Sequence, residues 1–372
     1  MKVAIVHEWL DSYAGSERVV EQLLHLWPDA DLFTVVDFLP ERERGFLGGR
    51  VPRTSFIQRL PFARKHFRKF LGLMPLAVEQ FDLAGYDLVL SSNHAVAKGV
   101  ITGPGQLHVS YVHSPMRYAW DLQHQYLKQA GLERGLLGAY TRWQLHRLRH
   151  WDRSSAVGVD SIVANSGYIA ERIRKAWGRD AAVIHPPVDL DRFTFGEARE
   201  DFYLIAARMV PYKRVDLVAE AFRAMPEKRL VVCGDGPSLP QVRAAAQGAP
   251  NIAFLGHVSQ AELVRLVRTA RAFVYAAEED FGIGMVEAQA CGTPLIAYGR
   301  GGARDILRPE TGVLFPEQTA QSLQEAVRRF QALSLAIRPE ACRENALRFS
   351  VPAFRTRFRD HVEALLRERV PA

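Results

Sequence analysis

The chain is 372 residues long, 48% hydrophobic and 24% charged, with a formal net charge of +7. That length holds two domains of ~100–200 residues each, and the composition is that of an ordinary globular chain, which excludes disordered and fibrous classes. No apolar run approaches the ~20 residues of a spanning helix. The three scattered cysteines, Cys233, Cys291 and Cys342, form no C-x-x-C pair and suit a reducing cytoplasm.

The opening MKVAIVHEWL reads as a strand over Val3–His7; it has no small-residue cleavage site and runs straight into charged sequence, unlike a secretory leader. A Ser/Gly-bearing loop, Asp11–Ser16, leads into a helix starting near Glu17. Gly15 therefore precedes a helix N-terminus whose open N–H groups suit an anion. Further strands are predicted at Asp31–Val36, Leu88–Ser91, His108–His113 and Ser161–Asn165, with helical patterns between them such as Glu171–Trp177. Strands alternating with helices call for a parallel sheet covered on both faces.

Residues 51–150 carry thirteen Lys and Arg against five Asp and Glu, more than the surplus of the whole chain. Within them Arg53–Leu73, RTSFIQRLPFARKHFRKFLGL, interleaves cations with Phe and Leu, and Thr141–Arg153 adds a Trp pair. Such stretches suit an anionic membrane surface, with Arg64, Lys65, Arg68 and Lys69 facing it. No nucleic-acid motif accompanies the charge, so nucleic acid is not the expected partner.

At Val183–Phe193, VIHPPVDLDRF, a Pro-Pro pair bars helix and marks a domain boundary. The predicted domains are residues 1–185 and 186–350, followed by a C-terminal helix in 351–372 that packs back towards the first domain. The second half repeats the strand–helix rhythm: strand Phe202–Ala207, helix Arg214–Met225, strand Arg229–Cys233, the turn GDGP, helix Ser238–Ala246, strand Asn251–Leu255, helix Gln260–Thr269. Two such domains imply a cleft between them, a preferred place for a ligand.

The most informative stretch is EDFGIGMVEAQACG, residues 279–292. Strand Arg271–Ala277 precedes it, so Glu279 sits at the carboxyl end of a strand and Glu287 in the helix that follows. In an open α/β sheet that edge is where ligands bind, and the intervening glycines let backbone N–H groups approach closely. On the loop after Phe202–Ala207, ARMVPYKR places Arg208 and Lys213 at the same sheet edge. An Arg fork and a mobile Lys charge suit a diphosphate, with a carboxylate opposite to read hydroxyls. Two D-x-D strings, Asp29–Asp31 and Asp189–Asp191, lie at a helix-to-strand turn and in the linker, and neither is expected to hold a metal. The first strand-to-helix turn has no G-x-G-x-x-G, which excludes a dinucleotide fingerprint.

The Gly15 loop, His113 in YVHSPMRYAWD, VIHPPVDLDRF, ARMVPYKR, GDGP, FLGHV and EDFGIGMVE follow one another in an order that resembles glycosyltransferase family 4. The resemblance spans essentially the whole chain. It implies α/β architecture of the GT-B type, two Rossmann-like doubly wound domains facing a central cleft, the first taking the acceptor and the second the donor. Carried over, Arg208 and Lys213 hold the donor diphosphate, Glu279 and the backbone of Asp280, Phe281 and Gly282 surround the sugar, Glu287 accepts from the ribose, Val258 borders the base, and His113 touches the sugar during transfer. Family members usually carry two glycines where this chain has Ala14-Gly15.

The HEWL opening, HSPMRYAWD and EEDFGIGMVEA look most like bacterial O-antigen and exopolysaccharide mannosyltransferases. That implies a retaining, metal-independent hexosyltransferase without cofactor, moving mannose from GDP-mannose to a lipid-linked saccharide in cell-surface polysaccharide biosynthesis. The expected location is cytoplasmic, peripherally bound to the inner face of the cytoplasmic membrane. A UDP-sugar donor is the nearest alternative, and a catalytically silent nucleotide-sugar-binding scaffold is the alternative of a different class.

Overall fold

Strand Val3–Leu10 (β1) is apolar at most positions and buried along its length apart from partly covered Trp9, as expected for a parallel strand covered on both faces. It runs past the predicted end at His7 because Trp9 and Leu10 still pair with Val36 and Asp37 of strand Asp31–Asp37 (β2). A two-residue strand Arg53–Thr54 (β3) pairs outside β2, while Leu88–Asn93 (β4), Leu107–Val112 (β5), Ser161–Ala164 (β6) and Ala182–Val183 (β7) continue on the other side of β1. The sheet order is β3-β2-β1-β4-β5-β6-β7, and every pairing is parallel.

The computed structural model describes residues 1–334 and 336–369. They form two units, one of Met1–Pro187 together with the chain from Phe354 onward, the other Val188–Ala353. The second unit carries strands Tyr203–Ala206 (β8), Leu230–Cys233 (β9), Ile252–Gly256 (β10), Ala272–Tyr275 (β11), Leu295–Tyr298 (β12) and Gly312–Phe315 (β13), ordered β10-β9-β8-β11-β12-β13 and again all parallel. Parallel neighbours require a crossover, so each strand's following loop emerges on one common edge. In the second unit that edge carries the loops after β8, β9, β10 and β11.

Local chemistry explains where the elements stop. The predicted helix Arg214–Met225 is shorter, Val215–Arg223, because Pro211–Lys213 forms a 3-10 turn and Arg214 takes φ +50° before the helix begins. Conversely, the helix predicted at Glu171–Trp177 begins at Gly167, where the Ser166 hydroxyl accepts the Ile169 N–H and caps the first turn. Residues 53–73 do not form one amphipathic helix. They break into a short strand, a 3-10 turn over Phe56–Arg59, one helical turn over Ala63–His66 and a kinked 3-10 stretch over Phe67–Leu73.

The last described element, helix Val351–Arg369, contributes Phe354, Phe358 and Val362 to the core of the first unit beside β1, β4 and β5. Phe354 and Phe358 lie 5.8 and 6.2 Å from the Tyr111 ring, and Phe358 is fully enclosed. Truncating such a phenyl ring removes its transfer free energy and leaves a cavity. Phe358→Ala is therefore expected to lower unfolding free energy by ~3–5 kcal/mol, read from urea midpoints. A midpoint equal to that of the parent would show that the helix does not seal this core.

Candidate functional site

In the second unit, three loops at the carboxyl edge lock together. Strand β11 ends at Tyr275, and the chain turns through Ala276–Gly282 into helix Ile283–Ala290. Gly282 holds φ +100°, a backbone conformation that favours glycine at this turn into the helix. The loop after β12 lies against the same segment: the Gly302 N–H donates to the Glu279 carbonyl at 2.8 Å, and a Cβ on Gly301 would lie 2.2 Å from that oxygen. The Tyr298–Gly302 run was not singled out from the sequence. Its two adjacent glycines at the end of a strand were the signal.

These loops bring Lys213 onto Glu279. The Lys213 ammonium donates to a Glu279 carboxylate oxygen and, at 2.9 Å, to the Tyr275 hydroxyl, and it lies over the Tyr212 and Tyr275 rings at 5.3 and 5.4 Å. Both charged side chains are only about one-seventh exposed. Burial, then the nearby Tyr212 phenol and the Glu287 carboxylate, keep the Tyr275 phenol far above its ordinary range, so it remains an uncharged donor and acceptor. Glu287 follows in the second turn of the helix and is half-buried. Arg208 stands on the β8 loop, exposed to solvent, and its guanidinium makes no hydrogen bond among the described residues. Asp280 is half-buried, Phe281 is buried against Phe349, and Val258 is partly covered on the loop after β10.

Lys213 and Glu279 thus come together as an ion pair. A strongly anionic ligand would draw Lys213 away from Glu279 and leave the carboxylate free to accept from hydroxyls. Among the described residues no three His, Cys, Asp or Glu side chains gather as a metal-holding group. The D-x-D residue Asp31 accepts from the Tyr86 hydroxyl at 2.5 Å and faces Arg53 at 3.6 Å.

In the first unit, His113 follows β5 directly. Its Nε2 lies 2.9 Å from Ser92 Oγ, which is also 3.2 Å from His7 Nδ1; His7 Nε2 in turn lies 3.2 Å from Glu17 Oε1. Burial, then the neighbouring His94 and His7 imidazoles, push the His113 imidazole down to about 3, so it is neutral at neutral pH. Gly15 begins helix Gly15–Leu26, and Glu17 reaches back to accept the Ala14 N–H at 2.9 Å and the Ser16 hydroxyl at 3.0 Å. That is half of a capping box, since Ala14 has no side-chain acceptor. One of the open N–H groups at this helix start is therefore already taken.

Glu8, the neighbour of His7, points to the other side of β1. Its carboxylate accepts the N–H groups of His94, Ala95, Val96 and Ala97 at 2.8–3.1 Å and fixes the loop after β4. Neither Glu8, Glu17, His7 nor Ser92 was among the residues predicted for the site, although HEWL and SSNH mark the ends of two neighbouring strands.

The basic residues are placed on the surface of the first unit. Arg64, Lys65, Arg68 and Lys69 are all exposed, with Phe62 79% exposed beside them and Phe67 turned into the core. Arg68 pairs with Asp11 at 2.6 Å and stacks on Phe67 at 4.4 Å. Helix Gly135–Ser155 exposes Leu136, Leu137, Tyr140 and Trp143, with Arg147 5.1 Å from the Trp143 ring. No described helix is long and apolar enough to cross a membrane.

The Glu17 environment has a pH signature. Burial alone would raise its carboxyl, but the hydrogen bond and positive charge of His7, with the Ala14 N–H, hold it at about 2 against an ordinary 4.5. Ionised Glu17 thus stabilises the fold by about 3 kcal/mol, fully above pH ~4.5 and lost as the pH falls towards 2. Glu17→Gln is expected to flatten that part of the acid limb in urea titrations stepped from pH 5 to pH 2. Parallel acid limbs for the two proteins would overturn this account of Glu17.

Two families match the chain in tandem: Glycosyltransferase Family 4 over residues 13–192 and Glycosyl transferases group 1 over residues 189–349. The D-inositol 3-phosphate glycosyltransferase of Mycobacteroides abscessus is 31% identical over 193 residues, 45% of this chain and 44% of that protein. The chain therefore spans less than half the length of the curated relatives it matches. Among solved structures, Anabaena HepE in complex with UDP is similar over 98% of this chain and 100% of that one, with a TM-score of 0.71 and 16% identity. The apo lipopolysaccharide outer core galactosyltransferase WaaB is similar over 98% and 99%, with a TM-score of 0.67 and 16% identity. The two parallel sheets and these whole-chain likenesses give the fold as α/β of the GT-B type.

Proposed function

Because the chain carries a glycosyltransferase family 4 domain followed by a group 1 glycosyl transferase domain, we propose that it transfers a hexose from a nucleoside diphosphate donor to a saccharide acceptor. The observation that carries this reading is the Lys213–Tyr275–Glu279 cluster at the carboxyl ends of the adjacent strands β8 and β11. Lys213 and the exposed Arg208 take the donor diphosphate, while Glu279, released from Lys213, accepts from sugar hydroxyls and Glu287 from the ribose. Backbone N–H groups of Asp280–Gly282 border the sugar, Val258 the base, and His113 assists transfer.

The chemistry retains configuration by attack on the face the leaving group occupies. The acceptor hydroxyl oxygen bonds to the anomeric carbon as the bond to the diphosphate oxygen breaks, and the acceptor proton passes to that departing oxygen. The two cations stabilise the charge that grows on the diphosphate, a term of several kcal/mol in such sites. No metal is needed in this step.

Mannose from GDP-mannose is the donor that the sequence resemblance favours. A UDP-sugar is the second reading, supported by the UDP bound to the similar HepE. Incubating the purified protein with GDP-, UDP- and ADP-sugars, with and without EDTA, and reading donor turnover separates these. Turnover of one donor class, unchanged by EDTA, is the expected result; binding without turnover of any donor would leave only a silent nucleotide-sugar-binding scaffold. Arg208→Ala and Lys213→Ala are each expected to weaken donor binding by ~1.5–3 kcal/mol, the worth of a hydrogen bond to a charged group. Parent-like affinity in both would remove the diphosphate clamp.

The acceptor in this reading is lipid-linked and belongs to cell-surface polysaccharide synthesis, which places the enzyme on the inner face of the cytoplasmic membrane. The exposed Arg64, Lys65 and Lys69 beside Phe62 support it, as do the cations and exposed aromatics of helix Gly135–Ser155. Near an anionic leaflet each unpaired cation gains ~1 kcal/mol; Arg68, already paired with Asp11, gains less. Replacing Arg64, Lys65, Arg68 and Lys69 with Gln is expected to release the protein from phosphatidylserine vesicles in a sedimentation assay. Undiminished sedimentation would mean the patch is ordinary solvated surface.

A further inference from the structure

Two groups at the sheet edge hold Lys213, and they differ in charge. One is the Glu279 carboxylate. The other is the Tyr275 hydroxyl, which accepts from the ammonium at 2.9 Å, with the Tyr275 ring centre 5.4 Å away and that of Tyr212 5.3 Å away. An ammonium has three N–H donors, so the two bonds coexist. A diphosphate competes with them unequally. It is an anion like Glu279, and where it takes the place of the carboxylate the Lys213 charge stays balanced. The Tyr275 phenol keeps its proton, so it accepts from Lys213 without cancelling the charge that a phosphate oxygen needs.

Tyr275 is also the fixed end of its bond. It is the last residue of β11, where it pairs with Ala297 of β12, and it is buried. Its ring stacks on that of Phe273, 6.1 Å away. Just beyond it, the Gln318 side-chain amide donates to the Ala276 carbonyl at 2.8 Å. Lys213, by contrast, reaches the edge on a flexible four-carbon stem from the Pro211–Lys213 turn. Confining such a stem costs rotamer freedom. A neutral partner that stays bonded while the anions exchange meets that cost before the ligand arrives, which is preorganisation.

We propose that Tyr275 is a positioning residue of the donor site: its hydroxyl keeps the Lys213 ammonium at the sheet edge while an incoming diphosphate displaces Glu279 from it. Tyr275 does not touch the donor; it acts through Lys213. The inference rests on the reading of Lys213 as a diphosphate ligand and adds the group that presents it.

A double-mutant cycle on nucleotide affinity tests this. The full-length parent, Tyr275→Phe, Lys213→Ala and the double variant are titrated calorimetrically with GDP and with UDP, and the nucleotide that the parent binds more tightly is followed throughout. Phe keeps the buried ring and the packing around it. Tyr275→Phe is expected to weaken the parent's affinity about fivefold, the worth of one hydrogen bond. Where Lys213 is already Ala, the same change is expected to alter affinity by less than about twofold, because the group it acts through is gone. Parent-like affinity in Tyr275→Phe beside a weakened Lys213→Ala overturns the proposal and leaves the diphosphate clamp standing. An equal loss in both backgrounds overturns it as well, since Tyr275 would then act independently of Lys213. Parent-like affinity in both single variants removes Lys213 as a phosphate ligand, and the role of Tyr275 with it.

Discussion

Parallel strand pairing is the constraint on which this molecule depends. A parallel neighbour is reached only by a crossover, so the loops that follow the strands of one sheet all emerge on the same edge. Sequence-distant residues meet there with no special device. Lys213 follows β8 and Glu279 follows β11, 66 residues on, and the two meet because β8 and β11 are hydrogen-bonded neighbours. His7, Ser92 and His113 meet in the same way, since β1, β4 and β5 lie side by side.

The strands themselves are apolar, so polar groups at that edge are enclosed by hydrocarbon and need partners. The first unit meets this requirement several times. Glu8 is saturated by four backbone N–H groups, and Glu17 by His7, the Ala14 N–H and the Ser16 hydroxyl. Further in, Asp152 accepts from Lys98 at 2.7 Å and from the Trp120 and Trp177 indoles at 2.7 and 2.8 Å, with Lys98 and Asp152 wholly buried. Removing one partner of such a set strands the rest, which costs several kcal/mol and makes these networks rigid. Arg208 is the contrast. It is charged, exposed and without a hydrogen bond among the described residues.

Much of this was legible in the chain because strand, loop and helix leave local marks. Apolar runs gave the strands, and the residues just after them, Arg208, Lys213, Glu279 and His113, had to lie at the edge whatever the packing. Capping chemistry fixed some ends but not others: Ser166 began its helix four residues earlier than apolar periodicity suggested, and the left-handed Arg214 delayed another. Residues 53–73 were less legible, because alternation of cations with Phe and Leu does not say which apolar side chains turn inward: Ile57, Ala63 and Phe67 are buried, Phe62 is exposed, and the chain kinks at Phe70.

The sequence by itself determined the α/β class, the strand order of events along the chain and the edge on which polar residues fall, since these follow from periodicity, Pro and Gly placement, and the geometry of parallel crossovers. Tertiary structure alone decided which edge residues touch: Lys213 with Glu279, Gly301 against the Glu279 carbonyl, Ser92 between His7 and His113. Those contacts depend on which strands are neighbours and on register to within one residue. Both are set by how side chains far apart in the chain fill a shared core, information that no local window carries.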